Sequence, residues 1–159
     1  MKEIKLTNGG VTLVDDSDYE ELNQYKWFAH KERDTAYVLR YQYNGFRQYG
    51  RVLMHRQILN PEKSDDVDHV NGDGLDNQRS NIRVCSRQQN LENQRLRSDN
   101  TSGFKGVSLC NKNRAWRATV NLNGKQVHVG CYPTKEAAAQ AYNHKAIELF
   151  GQFARSNAI

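Results

Sequence analysis

Asp68 and His69 stand side by side after an apolar residue, and a loop of glycine, aspartate and asparagine follows them. The chain then re-emerges at Asn81-Ile82-Arg83-Val84 and closes this stretch on Asn90. A neutral imidazole near pH 7 can take a proton from water, and a neighbouring carboxylate can hold a divalent cation. One carboxylate, Asp68, with one amide oxygen, Asn90, makes a hard, oxygen-only ligand pair of low charge. Such a pair favours Mg²⁺ or Mn²⁺ over Zn²⁺, with water and a substrate phosphate filling the remaining positions. A lone Asp-His pair would be read as turn residues. Here the pair, the loop, Asn81 and Asn90 occur in order.

The elements that must position these groups are legible around them. Val67 to Val70 is β-prone, and Asn71-Gly72-Asp73-Gly74 is turn chemistry. Ile82 to Cys85 alternates, and Ser86 with Gln89 forms a capping box that starts a helix. The expected order is strand, loop, strand, helix, a hairpin folded onto a helix that brings His69 close to Asn90. The stretch resembles the ββα-metal motif of HNH endonucleases of the phage and intron-borne homing type. That resemblance implies His69 as the general base, Asp68 and Asn90 as ligands of one Mg²⁺ or Mn²⁺ ion per active site, and Asn81 as the residue that braces the loop. The family's name implies histidine at the last position, where this chain has Asn90, a variant of the homing-type branch.

Residues 1–60 read as a small β-rich module. Ile4–Leu6 and Val11–Val14 flank a turn at Asn8-Gly9-Gly10, and Ser17 to Gln24 suits one or two helical turns. Lys26–Lys31, Tyr37–Tyr43 and Phe46–Met54 are strand-like, the last two joined across Asn44-Gly45. The aromatics Trp27, Phe28, Tyr37, Tyr41, Tyr43, Phe46 and Tyr49 suit core positions and cross-strand pairs, because so short a module needs them to bury area. His55-Arg56 begins a short helix ended by Asn60-Pro61, with Arg56 open to a phosphate contact and His55 to a packing or capping role.

Residues 61–96 are the expected nuclease motif, 97–102 a polar linker, and 103–159 a further module. In that module Phe104–Leu109, Ala115–Leu122 and Lys125–Tyr132 read as three strands. Thr134 caps a helix over residues 135–150, with Ala138, Tyr142, Ala146 and Leu149 on one stripe. Arg117, Thr119 and Asn121 alternate onto the sheet face away from Trp116, Ala118 and Val120. Gln126, His128 and Gly130 alternate against Val127 and Val129. A sheet with one apolar and one basic or polar face has dimensions that suit a DNA major groove. Gly103 to Val107, Trp116-Arg117-Ala118, Val129-Gly130 and Glu136-Ala137-Ala138 resemble the DNA-binding domain of Apetala-2/ERF factors. The resemblance implies a three-stranded antiparallel sheet on one helix. Lys105, Arg114, Arg117, Thr119, Asn121, Gln126 and His128 are the expected DNA contacts here, with Arg83 and Arg87 from the preceding motif.

The chain has 159 residues, 37% of them hydrophobic, with a mean hydropathy of −0.89, which suits small modules over one large core. Its charge is uneven. From Arg79 to Arg117 nine basic residues face only Glu92 and Asp99, a net of +7 that leaves −2 for the rest of a +5 chain. Such a run reads as a track for a polyanion. Three cysteines without CxxC spacing argue against a disulfide framework or structural zinc, and for a reducing cytoplasm, bacterial or phage-infected. No apolar run suits a membrane span or signal peptide.

The fold class expected is α+β: a β-rich module, a central ββα-metal motif, and a C-terminal sheet packed on one helix. The function expected is a metal-dependent endonuclease acting on double-stranded DNA, with a monomer favoured. Two readings stand beside it, a DNA-binding protein that keeps the motif as scaffold, and an enzyme of RNA or unspecific nucleic acid.

Overall fold

Alternating apolar residues around the Asn8-Gly9-Gly10 turn give the first hairpin, β1 (Lys2–Lys5) against β2 (Val11–Val14). Gly9 and Gly10 take φ of +96° and +81°, a region open to residues without a Cβ. The computed structural model describes all residues except 33–34, 46–47, 95, 97–98 and 111–114. The described chain is mixed α and β, with several small sheets, and forms two compact units, Met1–Ser86 and Arg87–Ile159. Arg114, expected at the DNA, and Phe46, expected at the start of a strand, lie outside the described residues. So do Arg95, Arg97 and Lys112 of the basic track.

In the first unit, helix α1 (Asp16–Leu22) opens with Asp16 and Asp18 in its first turn, where carboxylates offset the helix dipole. Strands β3 (Phe28–Glu32), β4 (Thr35–Tyr43) and β5 (Tyr49–Leu53) form an antiparallel sheet in that order. Helix α2 (Met54–Leu59) ends where Asn60 turns left-handed, at φ 45°. The hairpin β6 (Asp66–His69) and β7 (Ile82–Cys85) follows. Ile4, Val14, Leu22, Trp27, Val38, Met54, Ile58 and Ile82 make the core. Fully buried Trp27 donates its indole N–H to the Leu22 carbonyl at 2.7 Å, so its one polar atom is satisfied. The expected aromatic pairing is partly realised: Tyr43 meets Tyr49 across the ladder with the rings tilted, and Phe28 lies beside Tyr41. Yet Tyr41, Tyr43 and Tyr49 are all more than half exposed. The outer ends of β4 and β5 run past the core, so these rings cover one another instead of being covered.

The second unit begins with α3 (Arg87–Asn93). Strands β8 (Val107–Cys110), β9 (Ala115–Leu122) and β10 (Lys125–Tyr132) form an antiparallel sheet with β9 central, and α4 (Lys135–Phe150) packs on it. Asn123 and Gly124 both take positive φ, 51° and 76°, the pairing a two-residue hairpin turn demands. The Thr134 hydroxyl accepts the Ala137 N–H at 3.1 Å and starts α4. Ala138, Ala139, Tyr142, Ala146 and Phe150 bury against Val107, Ala118 and Val120.

Two details depart from the sequence expectation. The first strand begins at Val107 instead of Phe104, because Gly103 and Gly106 both take positive φ, and the chain turns until Gly106 is passed. A bulge between His128 and Gly130 also breaks the alternation on β10. Gly130 therefore pairs with Ala118, and Cys131 comes opposite Arg117. Asn100 and Ser102, in the stretch expected as a linker, are bonded into this unit. Asn100 accepts the Gly103 N–H at 2.7 Å, and the buried Ser102 hydroxyl donates to the Phe104 carbonyl at 2.9 Å.

Gly106 carries a specific cost. It sits at φ +72°, and a Cβ there would come within 2.2 Å of the Tyr142 ring and 2.6 Å of the Thr119 carbonyl. Gly106→Ala should destabilise the second unit by about 2–4 kcal/mol through backbone strain and overpacking. Hydrogen exchange resolved by peptide should show the loss in β8, β9 and α4 while the first unit's core stays protected.

Candidate functional site

The loop between β6 and β7 is folded by its own short polar side chains. The Asn71 side chain accepts the Asp73 N–H at 2.8 Å, and the Asp73 carboxylate accepts the Leu75 N–H at 3.0 Å. Asn81 spans the loop. Its Oδ1 accepts the Asn71 N–H at 3.0 Å while its Nδ2 donates to the Asp76 carbonyl at 2.8 Å. The far side is fastened to β2, where the Leu13 N–H donates to the Leu75 carbonyl and the Asn77 N–H donates to the Leu13 carbonyl. Gly74 passes so close to β4 that a Cβ would lie 2.3 Å from the Ala36 carbonyl.

This frame holds His69 at the end of β6, only 4% exposed. Its Nε2 lies 3.3 Å from Asn77 Oδ1. The His55 ring stands 5.1 Å away, edge to face, and Tyr37 flanks both imidazoles. Burial pushes the His69 imidazole below its ordinary pKa, against the opposing pull of Asn77, Asp68, Asp73 and Asp76. It is therefore neutral at pH 7, the form that can accept a proton. Burial pushes His55 down further, to about 3, helped by His69 and Arg56 nearby. Among the described residues its buried Nδ1 has no hydrogen-bond partner.

Asp68 lies on the same strand, directly across the ladder from Arg83. Arg83 donates to Asp68 Oδ2 from Nη2 at 2.8 Å and from Nε at 3.1 Å, and both side chains are largely buried. A carboxylate has two oxygens and several lone pairs, so one guanidinium does not exhaust it as a donor. The nearby sulfur is of a different kind. Burial and the carboxylates of Asp68 and Asp66 push the Cys85 thiol up to about 11, so at neutral pH it offers no thiolate. The donor chemistry beside His69 is thus hard oxygen, which fits Mg²⁺ or Mn²⁺ and not a thiolate-seeking ion. Among the described residues no group of three or more histidine, cysteine or acidic side chains is placed to hold a metal. Asn90 is on α3, in the second unit.

The other expected contacts divide into two sets. Arg117, Asn121, Gln126 and His128 are exposed on one face of the C-terminal sheet, and Thr119 is half-buried among them. Across the ladder Gln126 faces Asn121 and His128 faces Thr119, with Arg117 reaching the Cys110 sulfur at 3.5 Å. Arg87 is exposed at the start of α3. Lys105 instead turns inward, donating to the Glu92 backbone carbonyl and lying 4.0 Å from the Glu92 carboxylate. Arg79, counted in the basic track, is held by the Asp18 carboxylate through two bonds of 2.8 Å. Arg56 donates to the carbonyls of Asp65 and Glu62 and so secures the connection into β6.

Two residues at the site, Thr12 and Asn77, went unnoticed in the sequence, and Tyr37 reads there as a core or cross-strand aromatic. Thr12 and Asn77 are fully buried polar side chains bonded to each other at 2.9 Å across 65 positions. The only local hint is the second asparagine of the loop, in Asp76-Asn77, which turn chemistry alone absorbs.

Two known proteins are similar to this chain. A protein of Acanthamoeba polyphaga mimivirus, named an uncharacterized HNH endonuclease, is 34% identical over 144 residues, covering 87% of this chain and 70% of that one. Protein 3.8 of Escherichia phage T7 is 36% identical over 89 residues, covering 56% of this chain and 73% of its own length. No family model matches, and no solved structure matches.

Burial of the two imidazoles makes the first unit sensitive to acid. In the unfolded chain a histidine titrates near 6.5, so below that pH the unfolded state binds protons that the native state refuses. Stability is then fully present above about 6.5 and falls as the pH drops toward the depressed native values. Urea unfolding of the first unit should lose roughly 2 kcal/mol through His55 between pH 7 and 4.5, with His69 adding to the loss in the same direction. His55→Leu should flatten that dependence, and an unchanged slope would count against a neutral buried His55.

Proposed function

The chain belongs to the HNH endonuclease family, and on that premise we propose that it hydrolyses a phosphodiester of duplex DNA with one bound Mg²⁺ or Mn²⁺. His69 is the general base. It takes the proton of a water whose oxygen attacks phosphorus, the bond to the 3′ oxygen breaks, and that oxygen takes a proton from solvent water, so 5′-phosphate and 3′-hydroxyl ends result. Asp68 and Asn90 would hold the cation, Asn90 entering through the family resemblance alone. A bound cation would neutralise charge gathering on the phosphate and on the leaving oxygen. Asn81 keeps the loop folded under His69 and touches no substrate.

Residues 61–96 form the nuclease module in this reading. Residues 103–159 form an Apetala-2/ERF-like module whose sheet lies against DNA through Arg117, Thr119, Asn121, Gln126 and His128. Arg87 and Arg114 add phosphate contacts. Lys105 and Arg83 reach a phosphate only by leaving Glu92 and Asp68, which makes them the weaker candidates of the set. The observation that carries the proposal is a buried imidazole, neutral at pH 7, beside an oxygen-donor carboxylate at the end of β6, where it enters a loop braced by Asn81.

Supercoiled plasmid with Mg²⁺ supplies the test. His69→Ala should slow nicking by about 10²–10⁴-fold, and chelation should abolish it in the wild type. Equal nicking by the two proteins, or none by the wild type across many sequences, overturns the assignment. Duplex affinity should also fall steeply between about 50 and 200 mM salt, since phosphate contacts release counterions. A flat response removes the proposed DNA face.

A further inference from the structure

We propose that Asn77, itself fixed by Thr12, is a positioning residue that locks His69 in the tautomer carrying its proton on Nε2, so that Nδ1 is the atom that accepts the proton from water. The inference rests on the nuclease reading for its catalytic meaning, but the tautomer itself follows from a chain of buried hydrogen bonds. The Leu75 carbonyl can only accept. It lies 2.6 Å from Thr12 Oγ1, so the single hydroxyl proton of Thr12 is committed there and not to Met54 Sδ, a weaker acceptor at 3.9 Å. Toward Asn77, 2.9 Å away, Thr12 can then only accept, and the Asn77 atom facing it must be the amide nitrogen. The Gly74 carbonyl, 3.3 Å from the same nitrogen, accepts a second and longer bond that reinforces this orientation without fixing it alone.

The Asn77 amide is therefore oriented by Thr12 and Gly74 together, and its Oδ1 is left facing His69 Nε2 at 3.3 Å. An amide oxygen has no proton to give. Nε2 must supply one, which leaves the lone pair on Nδ1. Thr12 and Asn77 are fully buried and His69 nearly so, so water does not compete for these bonds. Reversing the amide would let its NH₂ meet a bare Nε2, but it would leave the Gly74 carbonyl and the Thr12 oxygen, whose proton goes to Leu75, both facing an oxygen. Unmet polar groups of this kind cost on the order of 1–3 kcal/mol each in a dry interior. The lock reaches back to β2, through the bonds of Leu13 to Leu75 and Asn77 that hold the loop in register. The N-terminal hairpin thus sets the proton position on a base 57 residues further along the chain.

The test reads the imidazole nitrogens directly. In metal-free, DNA-free protein at pH 7.5, long-range ¹H–¹⁵N correlation of ¹⁵N-histidine-labelled protein, with His69 assigned against His69→Gln, should show the Nε2–H tautomer. Thr12→Val and Asn77→Ala should turn this into a mixture, and Thr12→Ser, which keeps the hydroxyl, should restore the wild-type pattern. In the nicking assay Asn77→Ala should lower kcat by about 10–100-fold with KM changed less than twofold, the effect expected when the partner orienting a functional histidine is lost. A wild-type spectrum showing Nδ1–H or an even mixture overturns the proposal whether or not any variant folds. So does an unchanged tautomer in Thr12→Val. The two readings fail separately: an Nε2–H imidazole in a protein that cuts nothing sinks the nuclease assignment alone. Cutting that depends on His69 in a protein showing Nδ1–H sinks the lock alone.

Discussion

A buried polar side chain must find a partner or cost the fold more than a kilocalorie, and that constraint organises the first unit. Asn77 and Thr12 are completely enclosed, and the bonds between them and to the Leu75 and Gly74 carbonyls tie β2 to the loop between β6 and β7. With Leu13 bonding the same loop through its backbone, the N-terminal hairpin acts as a clamp on it. Remove those bonds and the loop keeps its turns, which its own asparagines and aspartates supply, but loses its placement beneath His69.

Enclosure also sets the chemistry of the two histidines. His69 and His55 stand edge to face in an interior that disfavours charge, so neither is protonated at neutral pH. For a base this is the working form. The adjacent Asp68 stays compatible with the same interior because Arg83 answers its charge from the facing strand. A paired carboxylate and a neutral imidazole can share a dry site where two uncompensated charges could not.

The basic track has a different character in three dimensions. Arg79 is taken by Asp18, Arg83 by Asp68 and Lys105 by Glu92. The count of basic residues between Arg79 and Arg117 therefore overstates the charge offered to a polyanion. The polar face of the C-terminal sheet, with Arg117, Asn121, Gln126 and His128 exposed, is where side chains point outward. The bulge on β10 reshapes that face by bringing Cys131, not Gly130, opposite Arg117.

What could be read from the residues alone is what short range decides. The limits of β9 and β10, the turn at Asn123-Gly124, the Thr134 cap and the end of α2 at Asn60 follow from alternation and from the backbone preferences of a few adjacent residues. The Asp-His pair and its asparagine-rich loop were visible for the same reason, because turn chemistry and residue type are written in neighbours. Only the folded chain decided which acidic residue takes which basic one, where β10 slips by a residue, and which amide faces His69. Those outcomes depend on groups tens of positions apart meeting inside a dry core, where the energy of one unsatisfied hydrogen bond outweighs any local preference. No periodicity in the sequence joins Thr12 to Asn77, yet that bond holds the amide that His69 faces.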